Sequence, residues 1–553
     1  MKLFTVLSLF FILTLNNVFS QPFDMIPADD PILEDIRFLS LVTGTPFLSF
    51  TPPLAPGEIR FFLDSIDESA LLHPAMEAYN RISQRLIHNA RFSSNNGIFT
   101  SSLNINSTVE ARARFNSDVA EYPLNPNISP FLSFPIKLFF ADTLQLYIEP
   151  SVTKRPDKYI LSDFDLNIPT GYFTYDESNP LKAYIAAGGE WWNFQMGRDR
   201  LYWGTGHTGS LTFSDNSQYF DFARISFFSP AFKYSFILNQ FPITLTHDLF
   251  NLDEEDFDSW KENYSGLTRS MHRYFYLHRL DIKLFNRLSI GIMEGVMVGN
   301  SSIELKYLNP LVVFHSLFSW EDYDQWEPPY DDWEMGKTGK GDMTGSFFSL
   351  EINWNIINNF SVYGQFLINE YAEPGEVKRI ENLPPNGLGY MAGLQFSHSL
   401  TNWASVYFLE FIYTDPYLNI LSSPYASFIQ QNRYKQYYYL GYPRDTLSIT
   451  FGTRFFNNDN LSFSGVFSWI ANGEHNKDGI TWNWQAAKEA FNESTPSGVT
   501  ENKYILSLGA GWKPLPWLVF KTGVTGIYII NNNHVPGKDS IGGQISFSAG
   551  LRF

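Results

Sequence analysis

Fifteen consecutive residues concentrate the side chains best suited to hold a sugar. Trp320-Glu-Asp-Tyr-Asp-Gln-Trp-Glu-Pro-Pro-Tyr-Asp-Asp-Trp-Glu334 contains three Trp, two Tyr and seven acids. Sugar rings present flat C–H faces that stack on aromatic rings, and carboxylates and amides ligate their hydroxyls. Trp320, Trp326 and Trp333, with Asp331 and Asp332, are therefore candidate polysaccharide-binding residues. Two other readings fit the same stretch. Clustered carboxylates suit calcium, which takes oxygen ligands. A solvated loop could also keep its acids for solubility alone and rest its aromatics on the protein below it.

Other chemistry is poorly supported. His247, Asp248, Asp253, Glu254, Glu255, Asp256 and Asp258 form a second acidic stretch. It holds too many acids to single out a pair for glycoside hydrolysis. The ten His are scattered and no Ser-His-Asp set stands out, so no catalytic residues and no enzyme are expected. With no cysteine there is no disulfide framework and no thiolate ligand or nucleophile. Gly204, Gly206 and Gly209 match a bare G-x-G-x-x-G, but Ser210-Leu-Thr-Phe213 reads as a strand. Without a helix N-terminus there is nothing to hold a pyrophosphate. No cofactor is implied and no resident metal is assigned. A formal charge of −18 argues against nucleic acid as a partner.

These residues must be carried by a scaffold, and the chain's end shows its type. From Ile541 every second residue is apolar or small: Ile541, Gly543, Ile545, Phe547, Ala549, Leu551, Phe553. Gln544, Ser546, Ser548 and Arg552 alternate with them, giving a strand with one greasy and one polar face. The same period recurs at Phe348, Leu350, Ile352 and Trp354, and at Leu461, Phe463, Gly465, Phe467 and Trp469. Short turns such as Asn358-Asn359 join adjacent pairs, and longer connections separate them. Short turns at one end and long loops at the other make the pattern of a transmembrane β-barrel. Aromatics at 17% with a mean hydropathy of −0.18 suit a wall that faces lipid. The expected fold is all-β: a transmembrane antiparallel β-barrel of about 18 strands over residues 97–553. Arg198, Glu294, Glu351 and Arg454 are expected to point into its lumen, more as an internal salt-bridge network than as a solute filter.

The N-terminal part reads differently. Lys2 followed by apolar Leu3–Leu15 and Val18-Phe-Ser20 predicts a secretory signal peptide over 1–20. Residues 21–96 carry three short stretches of helical periodicity opened by Pro31, Pro56 and Pro74, which predict a small α-helical domain capping the periplasmic end.

The order of several motifs carries a resemblance. Gly197-Arg198 runs into Trp203-Gly204-Thr205-Gly206, then Ser210-Leu211, then Ser214 and Asn216. Glu294, Leu308-Asn309-Pro310-Leu311, Tyr363-Gly364-Gln365-Phe366 and Tyr413-Thr414-Asp415-Pro416 follow. In this order the chain resembles the Wzi-type capsule assembly proteins. The resemblance implies an outer-membrane, lectin-like barrel that binds and anchors capsular or other exopolysaccharide without catalysis. It adds Trp203, Arg198 and Asn216 to the candidate ligand-binding residues. Implied partners are surface polysaccharide, outer-membrane lipid and the barrel insertion machinery, reached through Phe553; a monomer is expected. The alternative on the same fold is a porin or substrate-specific diffusion channel.

Overall fold

The structure is a computed structural model. It describes residues 23–87, 92–95, 99–116, 129–141, 143–155, 158, 163–214, 217–244, 270–299, 303–309, 311–314, 344–371, 385–421, 426–431, 437–457, 460–477 and 494–553. Asn216, Trp320, Trp326, Trp333, Asp331 and Asp332 lie outside the described residues, as does the acidic stretch from His247 to Asp258.

The wall is one antiparallel sheet in which almost every strand pairs with its neighbour in sequence. The ladder also returns to its start. The last strand, Ser540–Arg552, pairs with Asn106–Phe115, from Gly543 opposite Phe115 to Arg552 opposite Asn106. Ile105 and Phe553 then exchange two backbone hydrogen bonds of 2.7 and 2.8 Å. An edge strand at membrane depth would leave a row of N–H and C=O groups unpaired, so this pairing is what lipid demands of a sheet.

Side chains alternate as the period of two requires. Ile541, Ile545, Phe547 and Leu551 are exposed on the outer face. So are Phe463, Phe467, Leu506, Leu508 and Trp512 on neighbouring strands. Polar side chains such as Gln195, Arg224, Ser235, Arg279 and Glu351 are buried on the inner face. In a soluble sandwich these positions would form the dry core. Here they face a protein-filled lumen, where polar groups find partners.

Three helices precede the wall among the described residues: α1 (Ile32–Thr43), α2 (Pro56–Leu63) and α3 (His73–Leu86). Each begins at or beside a proline, which presets φ and gives up an N–H that has no partner in the first turn. Their apolar faces share one core, including Ile36, Leu39, Ile59 and Ile82. Asp35 receives two hydrogen bonds from Arg81, at 2.9 and 2.7 Å, tying α1 to α3. The bundle sits at the short-turn end. Asn359 N donates to Leu41 O (2.8 Å), Asn355 Nδ2 donates to Ser40 O (3.1 Å), and the Phe38 ring meets Phe456 edge-on at 5.1 Å.

Candidate functional site

The centre of the barrel is occupied by the chain itself. After the strand Trp192–Asp199 the backbone turns into the lumen, and the wall resumes at Phe220–Phe228. Leu201, Trp203, Leu211 and Phe213 from this segment are fully buried. They pack against inward residues of several wall strands, among them Phe222, Phe275, Met293 and Phe347. Ser210–Phe213 was expected as a strand; it is instead the returning limb of a tight loop, closed by a single bridge between Trp203 and Phe213. The Trp203 N–H donates to Phe213 O at 2.9 Å and the two rings meet at 5.1 Å.

Glycine makes this loop possible at one position above all. Gly204 has φ +145°, and a Cβ there would overlap the Gln365 amide. That backbone region is costly for any other residue. At Gly206 a Cβ would run into the Gly209 carbonyl oxygen.

Polar contacts lash the plug to the wall. Gln365 Oε1 accepts from Leu211 N at 2.8 Å, and Gln365 Nε2 donates to Glu351 Oε2 at 3.0 Å. Glu351 also accepts from Arg279 Nη1 (3.0 Å), and Arg279 grips Asp281 with three further bonds. Glu410 accepts from His207 N (2.8 Å), Thr208 N (3.0 Å), Tyr363 Oη (2.8 Å) and the Thr208 hydroxyl. From the helical side, Arg37 Nη1 donates to Thr205 O (3.0 Å) and Gly206 O (3.1 Å). Burial alone would weaken the proton on Arg37, but Tyr202 and Glu34 offset this and raise its pKa. Burial, then the Arg37 charge, lowers the pKa of His207 and favours the neutral imidazole. That ring stacks on Phe408 at 4.2 Å.

The four charged residues expected in the lumen divide evenly. Glu351 points inward, and so does Arg454, which meets Glu34 of α1 at 3.1 Å. Arg198 and Glu294 point outward, which corrects the expectation. Arg198 shares a face with Trp192, Phe194 and Met196, while Asn193, Gln195 and Asp199 on the other face are buried. Its guanidinium grips Asp221 with bonds of 2.8 and 2.9 Å, donates to Ser178 O and lies 3.9 Å from the centre of the Tyr219 ring. Glu294 shares a face with Ile290, Ile292, Val296 and Val298. Counting by twos from the apolar neighbours would have placed both correctly.

Of the candidate binding residues, Trp203 is therefore the anchor of the plug, with no ring face open to solvent, and Arg198 is locked at the outer wall. Among the described residues no cluster of three or more His, Asp or Glu is arranged to hold a metal ion. No helix of the described residues is long and apolar enough to cross a membrane, which says nothing about strands.

The fold is similar to that of Wzi from Escherichia coli, an outer membrane protein involved in group 1 capsule assembly and described as a carbohydrate-binding β-barrel. The two chains are 14% identical with a TM-score of 0.57, covering 95% of this chain and 98% of that one. At that identity the likeness is one of fold. OccD3 of Pseudomonas aeruginosa is more distant, at 10% identity and a TM-score of 0.41, covering 84% of this chain and 93% of its own. The outer membrane channel DcaP of Acinetobacter baumannii is at 9% and 0.35, covering 84% and 100%. No curated protein sequence matches the chain. The family model for capsule assembly protein Wzi matches residues 132–449, a span that holds the plug, its wall anchors Gln365 and Glu410, and most of the wall. On that match the chain belongs to the Wzi capsule assembly protein family.

Proposed function

We propose that this protein is an outer-membrane barrel that binds and anchors capsular or other exopolysaccharide at the cell surface, without catalysis. The observation that carries this reading over a diffusion channel is the plug. Trp203 and Phe213 sit in an apolar core with inward residues of the neighbouring wall strands from Phe220–Phe228 to Trp403–Thr414. A channel conducts through a hydrated path lined by polar groups; here apolar side chains and the lashings to Gln365 and Glu410 fill the side of the lumen next to those strands and narrow that path.

The short-turn end with its three helices is the periplasmic side in this reading, and the long connections face outward. Polysaccharide is then met by the outer loops, with Trp320, Trp326 and Trp333 as stacking platforms and Asp331 and Asp332 as hydroxyl ligands. Asn216, in the connection that returns from the plug, is a further candidate on the strength of the family pattern. The protein acts as a monomer, and Phe553 is read by the insertion machinery. Deleting the gene in its host tests the function: polysaccharide should move from the cell surface into the medium. Unchanged surface retention would overturn the proposal.

A further inference from the structure

The barrel's outer face carries one anomaly. Outward side chains elsewhere on the wall are exposed, as a lipid-facing band requires: Leu280, Ile282, Ile292 and Phe348 are examples. Yet Tyr276 and Val296, on that same outward face, are both 0% exposed. The cover is the chain beyond the strand Leu288–Gly299, described over 303–309 and 311–314. Instead of rising from the rim, it descends along the outside of the wall. Tyr307 packs on Tyr276 with ring centres 5.2 Å apart, and Glu304 N donates to Tyr276 Oη at 3.3 Å.

Beneath this strap lies a polar pair. His278 Nε2 and Glu294 Oε2, both on the outward face, are 3.0 Å apart. A carboxylate on the lipid face of a barrel is destabilising in a depth-dependent way. The strap shields most of it: Phe314 N donates to Glu294 Oε2 at 2.9 Å, and the Phe314 ring stacks on His278 at 4.3 Å. The strap's exposed side carries large apolar residues beside a half-exposed Lys306–Glu304 ion pair of 3.0 Å. Leu305 is 82% exposed and Leu311 90%, with Ile303 and Val313 beside them. Its backbone is largely self-satisfied, with a 3₁₀ turn over Leu305–Leu308 and Leu311 N donating to Asn309 Oδ1 at 3.1 Å.

We propose that this strap is a lipid-contacting surface seated at the polar–apolar boundary of the outer leaflet, with Ile303, Leu305, Leu311 and Val313 against acyl chains. This rests on the membrane placement proposed above. Three observations support it. The exposed apolar residues lie on the same outer face as the exposed Ile292 and Phe348. The polar pair that would disrupt that band is covered. The local hydrogen bonding suits an interfacial segment, where amphipathic elements bury one face. A second copy of the chain is the competing occupant.

The chain has no cysteine, so single labels can be placed cleanly. Leu305→Cys and Leu311→Cys variants of the full mature barrel carry a nitroxide and are reconstituted in phosphatidylcholine vesicles. Phe348→Cys serves as the lipid reference and Lys538→Cys, in an outer connection, as the aqueous one. The ratio of collision with oxygen to collision with a nickel chelate should match that of Phe348→Cys and exceed that of Lys538→Cys several-fold. Ratios like that of Lys538→Cys would overturn the proposal. So would spin–spin coupling between labels on different copies, which would assign the strap to a second subunit. If Phe348→Cys itself meets the chelate freely, the membrane placement fails and the strap falls with it.

Discussion

Arg37 and Thr205 are joined by a 3.0 Å hydrogen bond across 168 positions of sequence. The first described helix thereby holds the plug from the short-turn end, while Glu410 and Gln365 hold it from the wall. The plug is thus held by two separate parts of the chain that meet inside a ring of strands.

Arg37→Ala should loosen the plug without dismantling the wall. Hydrogen bonds to a charged group are worth about 1.5–3 kcal/mol each, and the lost donors leave the Thr205 and Gly206 carbonyls without that partner. Planar-bilayer recordings should show the parent protein silent and the variant opening in bursts. Equal silence in both would show that the wall contacts suffice to hold the plug.

Gly204→Val and Gly206→Val should lower the yield of folded barrel. The first forces a β-branched residue into φ +145° against Gln365 and the second meets a backbone carbonyl. The backbone strain at Gly204 alone costs on the order of 1–3 kcal/mol before any clash is relieved. Heat-modifiable migration on gels reads the folded fraction. Normal folding with reduced polysaccharide binding alone would make the loop a binding site first.

Much of this architecture is legible in the sequence, and its failures are specific. The C-terminal strand reads correctly because period two needs no tertiary information, and Ile541, Ile545, Phe547 and Leu551 do face outward. The helices read correctly because Pro31, Pro56 and Pro74 punctuate a 3.6-residue pattern. Arg198 and Glu294 break the rule that charges face the lumen: each lies on the apolar face of its strand and is sheltered by chain that sequence spacing does not bring near. The plug was legible only as a glycine-rich turn. Its path depends on Gln365 and Glu410, more than 150 positions away, and a local pattern holds no record of such contacts. The aromatic and acidic stretch from Trp320 to Glu334 lies outside the described residues, so it stands on sequence alone.

Removing Phe553, or replacing it with Asp, should reduce insertion. Its backbone closes the seam with Ile105, and its ring stacks near Trp517 at 6.0 Å between centres. A charge there burdens the lipid boundary and loosens the last rung of the ladder. Outer-membrane levels of the folded form should fall markedly. Undiminished levels would remove Phe553 from the insertion step.

Replacing Trp320, Trp326 and Trp333 together with Ala should weaken polysaccharide retention and leave the barrel folded. Aromatic pairs are worth about 0.5–1.5 kcal/mol beyond area burial; three sugar–ring stacks of similar size would amount to a loss of at least about tenfold in affinity. Binding measured by co-sedimentation with polysaccharide, beside a heat-modifiability control, separates the two effects. Full binding by a folded triple variant would move the site elsewhere.

The most direct test of the account is a glycan array probed with the purified, detergent-solubilised mature barrel. Polymeric capsular or exopolysaccharide fragments should retain the protein in a saturable way that the triple Trp variant loses. A folded barrel that binds no polysaccharide on the array, yet passes small solutes or ions across a bilayer, would contradict it and make the protein a channel.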